Sequence, residues 1–306
     1  MLPFNLQQLK SLKVLATERS FTKAANLLYI SQPSLSKQIK ILEKNLDTQL
    51  VDRTNNKISL TENGKVFLKY SERILALCEE SCRVIIELKN GDRGKLNVGA
   101  SHTIGTYLLP KILVLFSQNY PQIKLEVQVN SSRVIADSVM NKEIDIAIIG
   151  GRIPIELKNY LTTTEFIEDE LVLILPIAHP FVKNGRISKI DLYHLNFISL
   201  NAKSTIQNFI DESLKFHNID IKQLKVTMEL NSIEGIKTAV SLGLGAAFVS
   251  CATIQKEMQL NTIQIVKIEN IQITRTLSII NNPESYKSKA FELFLNQLKL
   301  VKKRYE

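Results

Sequence analysis

The feature that most restricts the fold is a change of period at Asn90-Gly91-Asp92-Arg93-Gly94. Before it, apolar side chains recur every three or four residues; after it, short apolar runs alternate with helical segments. A chain that changes period across a glycine-bounded break builds two kinds of structure, a helical segment and a layered α/β one. At 306 residues there is length for two or three domains with well-buried cores.

Upstream of the break, Leu6, Leu9, Leu12, Val14 and Leu15 mark a first helix. Ser20 caps a second, with Phe21, Ala24, Ala25 and Leu28 turned inward; the alanine pair lets a neighbouring helix approach closely. After the turn Tyr29-Ile30-Ser31, Ser31 as N-cap and Pro33 in the first turn open a third helix from about Gln32 to Asn45, with Leu35, Ile39 and Leu42 inward. Its outer face carries Gln32, Ser34, Ser36, Lys37, Gln38 and Lys40. Helix, short turn and polar-faced helix is helix-turn-helix geometry, in which the second helix enters the DNA major groove. Gln49–Arg53 and Lys57–Leu60 around Thr54-Asn55-Asn56 predict a hairpin wing. Thr61 caps a helix running to about Lys89, whose stripe Phe67, Tyr70, Ile74, Leu77, Ile85 and Leu88 is too long for a small head to bury and predicts a dimer seam.

Downstream, strands are expected at Lys95–Ala100, Lys124–Val129, Ile144–Ile149, Glu170–Leu175, Lys225–Leu230 and Ala246–Ser250. Helices are expected between them, up to Asn119 and at Ser131–Asn141, Ser204–Phe216 and Ile233–Leu242. This alternation predicts a parallel or mostly parallel sheet with ligands at the carboxyl ends of strands. Its length suits two lobes joined by extended crossovers near Gly150-Gly151 and Val266–Thr274.

Charge narrows the function. The chain carries +9, and residues 1–70 alone hold 11 Lys and Arg against 5 Asp and Glu, a net +6. A basic excess in one quarter fits a nucleic-acid-binding head on a near-neutral body; the bland alternative is a lysine-rich solvated surface. No apolar run approaches the roughly 20 residues of a membrane span. The N-terminus lacks the plan of a secretory signal or transit peptide, so the chain is expected to act in the compartment where it is made. Three cysteines argue against a disulfide framework. Ile, Lys and Asn number 89, and Ala, Gly, Arg and Pro only 43, which points to an A/T-rich genome such as a plastid or a low-G/C bacterium.

The stretches Phe21-Thr22-Lys23-Ala24-Ala25, Ser31-Gln32-Pro33-Ser34-Leu35-Ser36-Lys37-Gln38-Ile39, Leu42-Glu43, Leu50, Asp52-Arg53 and Leu60-Thr61-Glu62-Asn63-Gly64 resemble the N-terminal signature of LysR-type transcriptional regulators. The resemblance spans the chain and implies a winged helix-turn-helix, a long linker helix and a two-lobed α/β effector domain similar to periplasmic binding proteins. It places the domains at 1–61, 62–94 and 95–306, with one lobe of about 95–161 and 267–306 and the other of about 162–266. Glu72–Glu80, Val98–Pro110 and Asp145–Gly151 resemble more narrowly the RuBisCO operon regulators of cyanobacteria and algal plastids, although His102 stands where a Gln is expected.

The resemblance implies double-stranded promoter DNA as partner, a homodimer or homotetramer, no membrane, no cofactor and no catalysis. With the compositional bias it implies a plastid-encoded stromal protein, the alternative being the bacterial cytoplasm. The implied DNA-binding residues are Thr22, Lys23, Gln32, Ser34, Ser36, Lys37, Gln38 and Lys40, with Arg53 and Lys57 of the wing on phosphates. A solvated polar face is the alternative for each. Ser101-His102-Thr103 and Ser204-Thr205 open helices after strands, where hydroxyls and backbone N–H groups bind anions; simple helix capping is the other reading. The implied effector is a sugar phosphate, a phosphorylated acid or NADPH.

Competing functions are a regulator of another operon, such as nitrogen or sulfur assimilation, and a solute-binding protein. Gly243-Leu244-Gly245 lacks the third glycine of a dinucleotide fingerprint and reads as a turn. Cys78 and Cys82 give at most two metal ligands and read as packing. His102, His179, His194 and His217 have no paired nucleophile.

Overall fold

Local capping sets the first three helices. Asn5 and Gln8 form a reciprocal capping box that starts α1 (Leu6–Glu18). Ser20 accepts from the Lys23 amide to start α2 (Phe21–Leu27), and Ser31 from the Ser34 amide to start α3 (Gln32–Asn45). Leu9, Leu12, Ala24, Leu35, Ile39 and Leu42 are wholly buried between these helices, each of the leucines and isoleucines contributing about 1.5–3 kcal/mol of transfer free energy. Strands β1 (Val51–Asp52) and β2 (Ser59–Leu60) pair antiparallel as the base of a hairpin. Thr61 Oγ1 accepts from the Gly64 amide and starts α4 (Glu62–Asn90). A side chain at Gly64 would lie 2.0 Å from the Leu50 carbonyl, so glycine lets α4 pass the hairpin.

The computed structural model describes residues 2–52, 58–90, 94–151, 153–202 and 204–305. The expected wing tip, with Arg53 and Lys57, and the break at residues 91–93 lie outside the described residues. The chain divides into two units, Met1–Lys89 and Asn90–Glu306.

The second unit begins with β3 (Lys95–Ser101), a π-turn at Ile104–Leu108, α5 (Leu109–Asn119), β4 (Lys124–Asn130), α6 (Ser132–Met140) and β5 (Ile146–Gly150). The long β6 (Thr162–Pro176) leads to β7 (Arg186–Ile187), β8 (Asn196–Leu200), α7 (Thr205–Phe216), β9 (Lys225–Leu230) and α8 (Ile233–Ser241). Then follow β10 (Ala247–Ser250), α9 (Gln255–Gln259), β11 (Ile263–Ile268), β12 (Ile273–Asn281) and α10 (Lys289–Tyr305).

The sheet is mixed, which corrects the expectation of a mostly parallel one. β3 runs parallel to β4 and β5, and β8 to β9, as strand–helix alternation requires. β12 is antiparallel to β5 and β6, and β6 is antiparallel to β10 and β11. The crossovers themselves became strands: one leaves the first lobe as β6, the other returns as β12, and two chains crossing in opposite directions pair antiparallel. Thus the expected strand at Glu170–Leu175 is only the far half of β6, and the return crossover is Ile273–Asn281, beyond the Val266–Thr274 expected.

The cores show where each lobe begins. Phe166 and Ile167 of β6 and Leu277 and Ile279 of β12 pack with Leu96, Leu109, Phe116, Phe294 and Leu298. Leu171–Leu175 of β6 and Ile273 of β12 pack with Ile198, Ile210, Ile236 and Val249. The handover falls between Ile167 and Leu171 on one strand and between Ile273 and Leu277 on the other.

Candidate functional site

Turning Leu35, Ile39 and Leu42 inward leaves the other face of α3 to solvent. Gln32, Lys37 and Lys40 are exposed there, Ser34 and Ser36 half-buried, and Thr22 and Lys23 exposed at the start of α2. Gln32, Pro33, Ser36, Lys37, Lys40, Ile41 and Lys44 line a shallow groove. Glu43, the acid of this helix, is turned away: its Oε1 accepts from the Leu50 and Val51 amides at 2.9 and 3.0 Å. Gln38 is partly engaged, its amide oxygen accepting from Ser11 Oγ at 2.5 Å. The open face is thus cationic, with amide and hydroxyl groups able to meet phosphates and base edges.

Between the lobes lies a cleft of about 400 Å³. It gathers Ser101, His102 and Thr103 with Ser204 and Thr205, the two helix starts singled out in the sequence. Ser131 and Ser132 at α6 and Ser232 at α8 join them. Ser131, Ser204 and Ser232 each cap their helix by accepting from an amide at 3.2–3.4 Å. Helices of 9, 12 and 9 residues therefore begin at one cavity, concentrating partial positive charge. Ser101 is no cap: it ends β3, and its Oγ accepts from the Gly150 amide. Ser132 Oγ donates to the Gly150 carbonyl at 3.0 Å, so two hydroxyls fix the end of β5 in the cleft. Gly151, at φ +102°, lies against Thr205, whose Cγ2 would be 2.9 Å from an added Cβ.

The lobes also meet at the rim. Tyr107 of the π-turn donates its hydroxyl to Glu234 of α8, and Lys111 Nζ donates to Gln255 Oε1 at 3.0 Å. Lys237, 2% exposed, pairs with Glu234 and Glu257 at 2.9 Å, donates to the Thr253 carbonyl and stands 5.0 Å over the Tyr107 ring. Burial, then the bond to Glu234, pushes the Tyr107 phenol well above its ordinary value. Burial opposes the charge on Glu234, but hydrogen bonds from Tyr107 and Lys237 outweigh it and hold the carboxyl below its usual range.

Arg275 completes the lining. It is 5% exposed, and its Nε donates to Asp169 Oδ2 at 2.8 Å. Ser250 Oγ donates to Asp169 Oδ1 at 2.5 Å. Nothing near Arg275 in sequence marked it, because β12 was not expected there. Ser131 and Ser232 carried the same signal as Ser204, a serine between a strand and a helix, but were not singled out. Among the described residues no cluster of His, Cys, Asp and Glu could hold a metal ion, and no helix is long and apolar enough to cross a membrane.

The bacterial regulatory helix-turn-helix family of LysR type matches residues 6–65, and the LysR substrate binding domain matches residues 89–301. The chain belongs to the LysR family of DNA-binding transcriptional regulators. A protein of Phaeodactylum tricornutum named "Probable RuBisCO transcriptional regulator" is 68% identical over 306 residues, covering 100% of both chains. The full-length LysR regulator CbnR complexed with its target DNA superposes with a TM-score of 0.71 at 19% identity, over 97% of this chain and 99% of that one. The CcmR regulatory domain of Synechocystis PCC6803, in complex with 2-PG, superposes with a TM-score of 0.61 at 26% identity over 68% of this chain and 97% of that one.

Proposed function

We propose that the chain controls transcription of RuBisCO genes in a plastid, binding promoter DNA through the α3 face and responding to a small acid held between the lobes. The observation that carries the response is the convergence of three serine-capped helix starts on the interlobe cleft. The 68% identity to the Phaeodactylum relative supports the RuBisCO target. The complex of CcmR with 2-PG supports a compact anion as effector. The DNA residues are Thr22, Lys23, Gln32, Ser34, Ser36, Lys37 and Lys40, with Gln38 contributing its amide nitrogen; the effector residues are Ser101, His102, Thr103, Ser204 and Thr205.

The chain acts as a dimer or a pair of dimers. Val66, Tyr70, Leu77 and Ile85 of α4 are more than half exposed in the single chain, an apolar stripe that a second copy would cover. Closure of the lobes alters DNA binding only so far as the acid prefers one arrangement over the other.

Calorimetric titration of ribulose bisphosphate, phosphoglycolate, phosphoenolpyruvate and NADPH into the full chain tests the cleft. At least one should bind, and Thr103→Val with Thr205→Val should abolish it while circular dichroism stays unchanged. Tight binding that survives both changes would move the effector elsewhere.

A further inference from the structure

One side chain of the recognition helix has half of its hydrogen-bonding capacity already spent. Ser11, wholly buried in α1, donates its hydroxyl to Gln38 Oε1 at 2.5 Å. That length belongs to an O–H···O bond and is short for N–H···O, so the amide oxygen, not the nitrogen, faces Ser11. Gln38 is half-buried at the flank of α3, next to the exposed Lys37. Leu12, Leu15, Leu35, Ile39 and Leu42 already share one core across α1 and α3, so the bond orients an amide more than it holds the helices together. The carbonyl end is turned into the protein, and the NH2 end is left for a partner outside it.

We propose that Ser11 makes Gln38 a donor-only reader of the major groove, selecting guanine where an unrestrained glutamine would select adenine. This rests on α3 being the helix that enters the groove. A glutamine free at both ends pairs with adenine by donating to N7 and accepting from the N6 amino group. Gln38 has no acceptor left for that amino group, which then meets a donor. Guanine instead presents two adjacent acceptors, O6 and N7, to the two N–H bonds of one amide nitrogen. Thymine offers the single acceptor O4, and cytosine an amino group alone. Gln38 thus acts as an uncharged counterpart of a guanine-reading lysine. Ser11 is the positioning residue: being wholly buried, it reaches a base only through Gln38. The exposed Gln32 keeps both ends of its amide for an adenine, so the two glutamines of α3 read different bases.

The test is selection of bound duplexes from a random-sequence library by the full chain, read by sequencing. Gln38→Ala marks the position in each half-site, the one where base preference flattens. There the wild type should favour guanine over adenine by about fivefold or more, the lower end for a specific base contact. Ser11→Ala returns Oε1 to the groove and should bring adenine at least level with guanine at that position, leaving the other positions unchanged. A residue that merely packs α1 on α3 would weaken all positions together. Gln38→Glu still accepts from Ser11 but replaces the donor by a second acceptor, so the same position should turn toward cytosine, whatever the overall affinity. That variant decides should Ser11→Ala lose its cooperative thermal transition. An adenine preference in the wild type, an unshifted position in a folded Ser11→Ala, or guanine retained in Gln38→Glu overturns the assignment. If Gln38→Ala flattens no position, α3 reads DNA through its other residues and this inference alone falls. If the wild type selects no sequence, the reading of α3 falls and this inference with it.

Discussion

Asp169 and Arg275 face each other across the two strands that join the lobes, with Nε and Oδ2 2.8 Å apart, where β6 and β12 leave one hydrophobic core and enter the other. A charged pair at that point resists shear between the strands without filling either core. Truncating one partner, as in Asp169→Ala, should cost about 3–5 kcal/mol by stranding the other charge. Urea denaturation of the full chain checks this; a loss under about 1 kcal/mol would mean that solvent already reaches the pair.

Glu43 of α3 holds the first strand of the hairpin through the Leu50 and Val51 amides. Glu43→Ala leaves both donors without that acceptor and should lower local stability by about 1–3 kcal/mol. Hydrogen exchange of the segment around Leu50 should quicken accordingly, and DNA affinity should fall. Unchanged exchange would show that the hairpin is held by other contacts.

Lys37 and Gln32 are assigned different tasks on the same face. Lys37→Ala should weaken operator and scrambled duplexes alike and lower the slope of log K against log salt by about 0.9, one phosphate contact. Gln32→Ala should narrow the ratio between the two duplexes by about 1–3 kcal/mol. Binding titrations at several salt concentrations separate the two effects, and a swapped pattern would exchange the roles.

The rim bond between Tyr107 and Glu234 predicts a pH response with two limbs. The Glu234 carboxyl is held low, so its contribution is full above the ordinary carboxylate value and is lost as pH falls through its lower folded value. The Tyr107 phenol is held high, so its contribution is full below its ordinary value and is lost only in strong alkali. Glu234→Gln should flatten the acid limb of thermal stability and, because the bond to Glu234 is one cause of the raised phenol, should shrink the alkaline loss as well. An acid limb identical to wild type would assign it to other carboxylates.

Gly151 lies at φ +102° against Thr205 on the opposite lobe. Gly151→Ala adds backbone strain of about 1–3 kcal/mol and presses a methyl group onto that residue. Calorimetry should show weaker acid binding together with a lower unfolding temperature; unchanged acid binding would put the contact outside the effector's path.

The head was legible because its signals are local. Ser20, Ser31 and Thr61 announce their helices within three residues, and α3 begins and ends at Gln32 and Asn45 as the pattern predicts. The crossovers were not, since their partners lie about a hundred residues away. Thr162–Asp169 carries four threonines or glutamates before Phe166 and reads as polar loop until β12 pairs with it. The same distance hid Arg275, whose meaning depends on Asp169 and on a cleft that gathers five other segments of the chain. C-terminal α10 buries Phe291, Phe294, Leu298 and Val301 at helical spacing, a stripe present in the sequence but outside the strand-and-helix alternation that guided the division into lobes.

Control of promoter binding by an acid held between the lobes is read out in a fluorescence-anisotropy titration. The full chain is added to a labelled duplex carrying the RuBisCO promoter of its own genome, with and without saturating 2-phosphoglycolate. The chain should prefer this duplex over a scrambled one, and its apparent Kd should shift by about 5- to 150-fold on adding the acid. That shift should vanish in the Thr103→Val, Thr205→Val variant. Equal affinity for both duplexes, or a Kd that the bound acid leaves unmoved, would contradict it.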